Sequence, residues 1–158
     1  MPATESTFDK TGVGVFEIKT LPSARLIKTE TEGNYFDDDN GLFRPLFRYI
    51  SARDIDMTTP VEAQIEPAAM FFYIGSEVED RALEATQEIA IERFPARTVA
   101  SFGMRGSYTQ RNFEKAAEAL RAHLESEPSY EAAGEARGVF WSAPFVPGFL
   151  KRFEVHIP

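Results

Sequence analysis

Residues 17–35 and 90–108 align without a gap at an offset of 73. Ile18 meets Ile91, Leu21 meets Phe94 and Pro22 meets Pro95. Leu26 meets Val99, Gly33 meets Gly106 and Tyr35 meets Tyr108. Two copies at about half the chain length describe a duplicated unit, since a solenoid needs three or more repeats. Chance likeness of two ordinary hairpins is the alternative, and the shared register of Pro, Gly and Tyr weighs against it. The reading is a single domain over 13–158, with repeats at about 13–75 and 86–158. Residues 1–12 are expected to form a flexible N-terminal segment.

Each copy reads strand, strand, helix, strand, strand. In the first, Val13–Lys19 and Arg25–Thr31 are strands broken at Leu21-Pro22-Ser23, because proline cannot donate to a ladder. Asp37-Asp38-Asp39-Asn40 offers N-cap side chains and negative charge where a helix begins. Leu42, Phe43, Leu46, Phe47 and Ile50 make a helical apolar stripe. Pro45 falls in the first turn or kinks the helix. Met57–Glu66 and Ala69–Ile74 follow as strands. In the second copy, Glu88–Phe94 and Thr98–Met104 are strands, and Ser107 with Gln110 fits a capping box. Phe113, Ala117, Leu120 and Leu124 stripe a helix reaching about Ser126. Val139–Ser142 and Phe149–Ile157 close the chain. The expected class is α+β: a distorted β-barrel or curved antiparallel sheet of about eight strands, with two long helices. Such a sheet must curl or close to protect its edges.

The residue inventory removes whole chemistries. There is no Cys, which excludes disulfides, zinc–thiolate sites, iron–sulfur clusters, cysteine nucleophiles and thioether-attached haem. The only histidines are His123 and His156, so a three-His metal site is excluded as well. Seventeen Lys and Arg against 25 Asp and Glu argue against a nucleic-acid partner, whose electrostatic footprint is basic. No apolar run reaches membrane-spanning length. No secretory signal is visible, so a cytoplasmic location is the default expectation. No nucleophile elbow or phosphate loop occurs, and no catalytic residue or metal ligand is assigned.

The candidate site residues come from pairing residue types. Arg44 and Arg48 lie one helical turn apart. Beside Phe43 and Phe47 they suit a planar anionic ligand, with guanidinium for carboxylate and rings for the apolar body. Two solvated arginines are the equal alternative. Phe145 sits in the Pro-flanked Ala143–Gly148 loop near Phe149, as an apolar lid over a cleft would. Glu154, between Phe153 and Val155, either faces a cleft as a cation partner or proton acceptor, or lies on the surface. His123 is expected partly buried or at the surface, and His156 at a rim or on the surface.

Several segments resemble the SOUL haem-binding protein family. They are Phe47-Arg48-Tyr49-Ile50-Ser51, Ile55-Asp56-Met57-Thr58-Thr59-Pro60-Val61, and the Ala143–Val155 loop and closing strand. The resemblance implies the two-repeat barrel and an apolar tetrapyrrole cleft between the first helix and the Pro-rich loop. It implies a lining of Phe43, Phe47, Phe145 and Phe149, with Arg48 pairing to propionates. Where the family usually has Arg-Arg-Asn-Glu-Val, this chain has Lys151-Arg152-Phe153-Glu154-Val155. The first half of the chain holds no His, so no axial imidazole comes from there. The repeat is also similar to GyrI-like effector-binding domains, whose closing strand carries a cavity Glu where Glu154 stands.

The leading expectation is therefore a carrier or buffer of haem or another tetrapyrrole, a small apolar anionic ligand. It would be a monomer or weak homo-oligomer. The alternatives are a GyrI-like small-molecule receptor, or a hydrolase using Glu154 with Tyr108 or Tyr35.

Overall fold

The structure, a computed structural model, describes residues 5–6, 8–37, 41–75, 81–127, 129–141 and 151–158. The chain divides into two compact units. One comprises Met1–Phe8 with Pro22–Ala96, and the other Asp9–Leu21 with Arg97–Pro158.

In the first unit, β3 (Ala24–Glu30) is the central strand. It pairs antiparallel with β6 (Ala69–Tyr73) on one side and β7 (Ala90–Phe94) on the other. Strand β6 also pairs with β5 (Val61–Gln64). A short parallel pair joins β1 (Glu5–Ser6) to β4 (Thr58–Thr59). Helix α1 (Phe43–Ala52) packs on β3 and β6. Side chains alternate across a strand, so Ile27, Met70, Phe72 and Ile74 meet the helix residues Leu46, Tyr49 and Ile50 in one core. Burying each of these large apolar side chains is worth roughly 1.5–3 kcal/mol. A second cluster gathers Leu26, Ala69, Phe71 and Tyr73, with Phe8 and Phe94 against it.

In the second unit, β8 (Arg97–Arg105) pairs with β2 (Phe16–Leu21) and β10 (Arg152–Ile157), and β10 pairs with β9 (Arg137–Phe140). Helix α2 (Gln110–Glu125) packs on β8 and β10, burying Phe113, Ala116, Ala117, Leu120 and Leu124. Among the described residues, each unit thus holds one α-helix and four antiparallel-paired strands, an α+β content. Each also takes an outer strand from the other half of the sequence: β7 joins the first unit and β2 the second.

Two local expectations are revised. The N-cap of α2 is Thr109, whose side chain accepts from the Asn112 amide, rather than Ser107. The buried stripe of α1 runs Leu42, Leu46, Tyr49 and Ile50, and Phe43 and Phe47 are half-buried on its flank. Arg53 stacks over the Tyr49 ring at 3.7 Å, and the Tyr49 hydroxyl donates to Glu84 O. That polar tip and apolar body let Tyr49 enter the stripe. Helix α1 begins without a side-chain cap at Leu42, and Asp38–Asn40 lie outside the described residues. Gly33 and Gly106, matched at the offset of 73, both have positive φ, at 94° and 146°. A side chain there would be strained, which explains the shared glycine.

Candidate functional site

Helix α1 carries the four predicted residues of the first unit. Phe43 and Phe47 lie nearly parallel, 5.7 Å between centroids, and Phe43 also meets Phe72 edge-on. Arg44 and Arg48 are exposed on the neighbouring helix face. Arg48 lies 3.4 Å from Glu88, and the two side chains are 69% and 62% exposed. A pair that open to water holds the guanidinium weakly, so Arg48 is available to another anion.

A cleft of about 600 Å³ opens on α1's opposite flank. It is lined by Leu42 and Pro45 of the helix, Lys28–Thr31, and residues 85–90. At about 100° per residue, Pro45 lies roughly 160° around the helix from both phenylalanines. The phenylalanine pair and the cleft therefore occupy different flanks. Lys28 is held 3.1 Å from Glu30 and 3.2 Å from Glu92. Burial works against its charge, but the two carboxylates prevail and raise its pKa above the ordinary value. With Lys28 committed and Glu30 and Glu88 in the wall, this cleft is not an anion site. Phe145 and Phe149 lie outside the described residues.

The second unit gathers a different constellation around Glu154. This carboxylate is 1% exposed. Oε2 accepts from the Thr11 amide at 2.8 Å and the Trp141 indole Nε1 at 2.6 Å. Oε1 accepts from Lys19 Nζ at 2.8 Å and Ser101 Oγ at 3.0 Å, and lies 2.8 Å from His156 Nε2. Burial alone would raise the Glu154 pKa. Hydrogen bonds and charge from His156 and Lys19 outweigh it and bring the value down to about 2. Five partners fill the roughly four lone-pair sites of a carboxylate. Glu154 is thus ionised and saturated, which makes it a poor proton acceptor at neutral pH.

His156 is buried at 1% exposure, correcting the rim position expected for it. It shares a strand face with Glu154, two residues away, and their contact accounts for its burial. His123 is exposed and stacks on Phe16 at 4.4 Å. Both histidines belong to the second unit and neither belongs to α1. Sequence reasoning also missed Glu62, 1% exposed, whose Oε1 accepts the Tyr73 hydroxyl at 2.6 Å. No local signal marked it: alternation puts Glu62 on the face of Gln64, opposite Val61 and Ala63, which reads as a solvent face. Among the described residues, no cluster of three or more potential metal ligands occurs. No described helix is long and apolar enough to cross a membrane.

The chain belongs to the SOUL heme-binding protein family, whose model matches residues 5–158. No curated protein matches it. Among solved structures, the EcmrR C-terminal domain is similar at 12% identity and a TM-score of 0.72, covering 91% of this chain and 96% of that one. In an EcmrR–DNA complex the likeness spans 56% of the partner chain, at 12% identity and TM-score 0.71 over 91% of this chain. A hydrolase from Listeria innocua is similar at 9% identity and TM-score 0.60, covering 94% of this chain and 93% of its own. SAV2435, solved bound to tetraphenylphosphonium, is similar at 8% identity and TM-score 0.52, covering 91% and 93%. At these identities the likeness establishes a shared fold, of the GyrI-like kind.

Proposed function

We propose that the protein binds haem or a related tetrapyrrole on the exposed side of α1, as a carrier or buffer without catalysis of its own. The observation that carries this reading is the parallel, half-buried Phe43–Phe47 pair beside the exposed Arg44 and Arg48. Flat apolar rings suit the porphyrin face, and exposed guanidiniums suit its carboxylates. Family membership supports the ligand class.

The residues on α1 fit the porphyrin and its carboxylates, and they include no imidazole for the iron. Binding is therefore carried by the organic part of the ligand. Titrating the purified protein with haemin tests this. A saturable Soret shift at micromolar protein is expected, with iron-free protoporphyrin bound about as well. His123→Ala should leave the titration unchanged. An unperturbed Soret band would remove the proposal. A spectrum lost in His123→Ala would replace it with a histidine-ligated site.

The receptor and hydrolase alternatives both require Glu154 to meet a ligand. Its five partners and depressed pKa count against both.

A further inference from the structure

Only Pro22 and Ser23 separate β2 from β3, yet the two strands form no hairpin. Among the described residues, the ladder of β2 runs to β8, and those of β3 run to β6 and β7. The reversal at Pro22 therefore closes no hydrogen-bonded ladder. An X-Pro step suits a straight path as well as a turn, because Leu21 is pushed to extended backbone.

The arm that ends at Leu21 is docked along its described length. Strand β1 pairs with β4, and Phe8 meets Tyr73 edge-on at 5.8 Å. Thr11 is buried, although it falls in the segment expected to be flexible. Its amide donates to Glu154 and its carbonyl accepts from Arg152 at 3.3 Å. The Gly14 amide donates to Gly103 O at 2.8 Å, and the Gly103 amide to Val15 O at 3.3 Å. Strand β2 then runs along β8, from Phe16 opposite Phe102 to Leu21 opposite Arg97. Phe16 stacks on Phe102 at 4.3 Å, and Lys19 reaches Glu154 at 2.8 Å. Each of these partners follows the connector in sequence. The arm thus behaves as a ligand of the rest of the chain, tethered to it by Pro22 and Ser23.

Short connectors favour exchange between copies, because a second chain supplies the same contacts without the reversal. We propose that the protein exchanges this arm with a second copy of itself, so that β2 of each copy lies on β8 of the other across a straightened connector. Glu154 of each chain is then bonded by Thr11 and Lys19 of the partner subunit, and the buried network is shared between chains. The exchanged dimer keeps every ladder of the single chain. This does not rest on the tetrapyrrole reading, because none of its residues is on α1.

A disulfide reports which chain supplies the arm. Thr20 and Thr98 stand opposite one another with their hydroxyl oxygens 3.4 Å apart, and the chain has no Cys. Thr20→Cys with Thr98→Cys in the full chain is unfolded in denaturant, refolded at a series of concentrations and then oxidised. On a non-reducing denaturing gel, an arm docked on its own chain runs at single mass, and an exchanged arm runs at double mass. A double-mass band is expected. Its ratio to the single-mass band should rise about tenfold for a tenfold higher refolding concentration, while single chains predominate. Deleting Ser23 should make double mass dominant, and inserting Gly-Gly-Ser after Ser23 should make it scarce. Thr20→Cys alone should give none.

Three results would overturn the proposal. Single mass at every concentration up to millimolar would mean that the arm stays on its own chain. A dimer in size-exclusion chromatography whose oxidised chains run at single mass would be a side-by-side assembly. An equal double-mass band in Thr20→Cys alone would mark random oxidation. Should the Ser23 deletion fail to fold, the concentration series with the intact connector gives the same readings.

Discussion

Both units bury a glutamate on a strand, and the surroundings of the two differ. In the first, Glu62 meets the neutral hydroxyl of Tyr73 within an aromatic and aliphatic cluster, and the charged residues of α1 stay in water. In the second, Glu154 draws in an ammonium, an imidazole, an indole, a hydroxyl and a backbone amide. A network like the second is costly to break, because every member loses a partner together. It is also closed to ligands unless something leaves. Helix α1 of the first unit keeps Arg44 and Arg48 exposed and Phe43 and Phe47 half-covered, which is the arrangement a recognition surface needs.

The largest effect should follow from Glu154→Gln. It removes the carboxylate charge that Lys19 meets at 2.8 Å, and breaking a buried pair costs about 3–5 kcal/mol. Denaturant unfolding followed by Trp141 emission measures it. The same residue sets an acid limit. Its folded pKa lies below the ordinary carboxylate value, so its contribution is complete above about pH 4.5 and disappears as pH falls toward about 2. The shift corresponds to roughly 3 kcal/mol. Stability should fall through that window in the unaltered protein and fall less in Glu154→Gln. An equal acid loss in both would assign the sensitivity to other carboxylates.

Tyr73→Phe comes next. It removes a hydroxyl donor from the buried Glu62, which costs about 1–3 kcal/mol. If it costs as much as Glu154→Gln, the contrast between the units fails. Thr109→Ala should cost about 1 kcal/mol through the lost cap of α2, a loss that Thr109→Ser should largely restore. Arg48→Ala should shift stability by no more than about 0.5 kcal/mol, as its pair with Glu88 is open to solvent.

The helices and strands were legible where periodicity was strong. Phe113, Ala117, Leu120 and Leu124 mark the buried face of α2 in both sequence and structure. In α1 the stripe was misplaced by part of a turn. Phe43 and Phe47 scored as core by type, while Tyr49 entered the core because Arg53 and Glu84 O satisfy its ring and hydroxyl. The Glu154 network was the least legible part. Its partners stand at 11, 19, 101, 141 and 156, so no local pattern joins them. The alternation of Glu154 with His156 was visible, but alternation alone does not tell a wet face from a buried one. The α1 residues were readable as a group because one helix holds them all.

The most direct test of the tetrapyrrole account is the haemin titration of Arg44→Glu with Arg48→Glu in one chain. Both residues are exposed, so folding should be untouched and any loss belongs to the ligand. The account predicts unchanged unfolding and haemin affinity lowered by about tenfold, from two solvent-exposed charge pairs of up to about 1 kcal/mol each. Haemin affinity equal to that of the unaltered protein would contradict it.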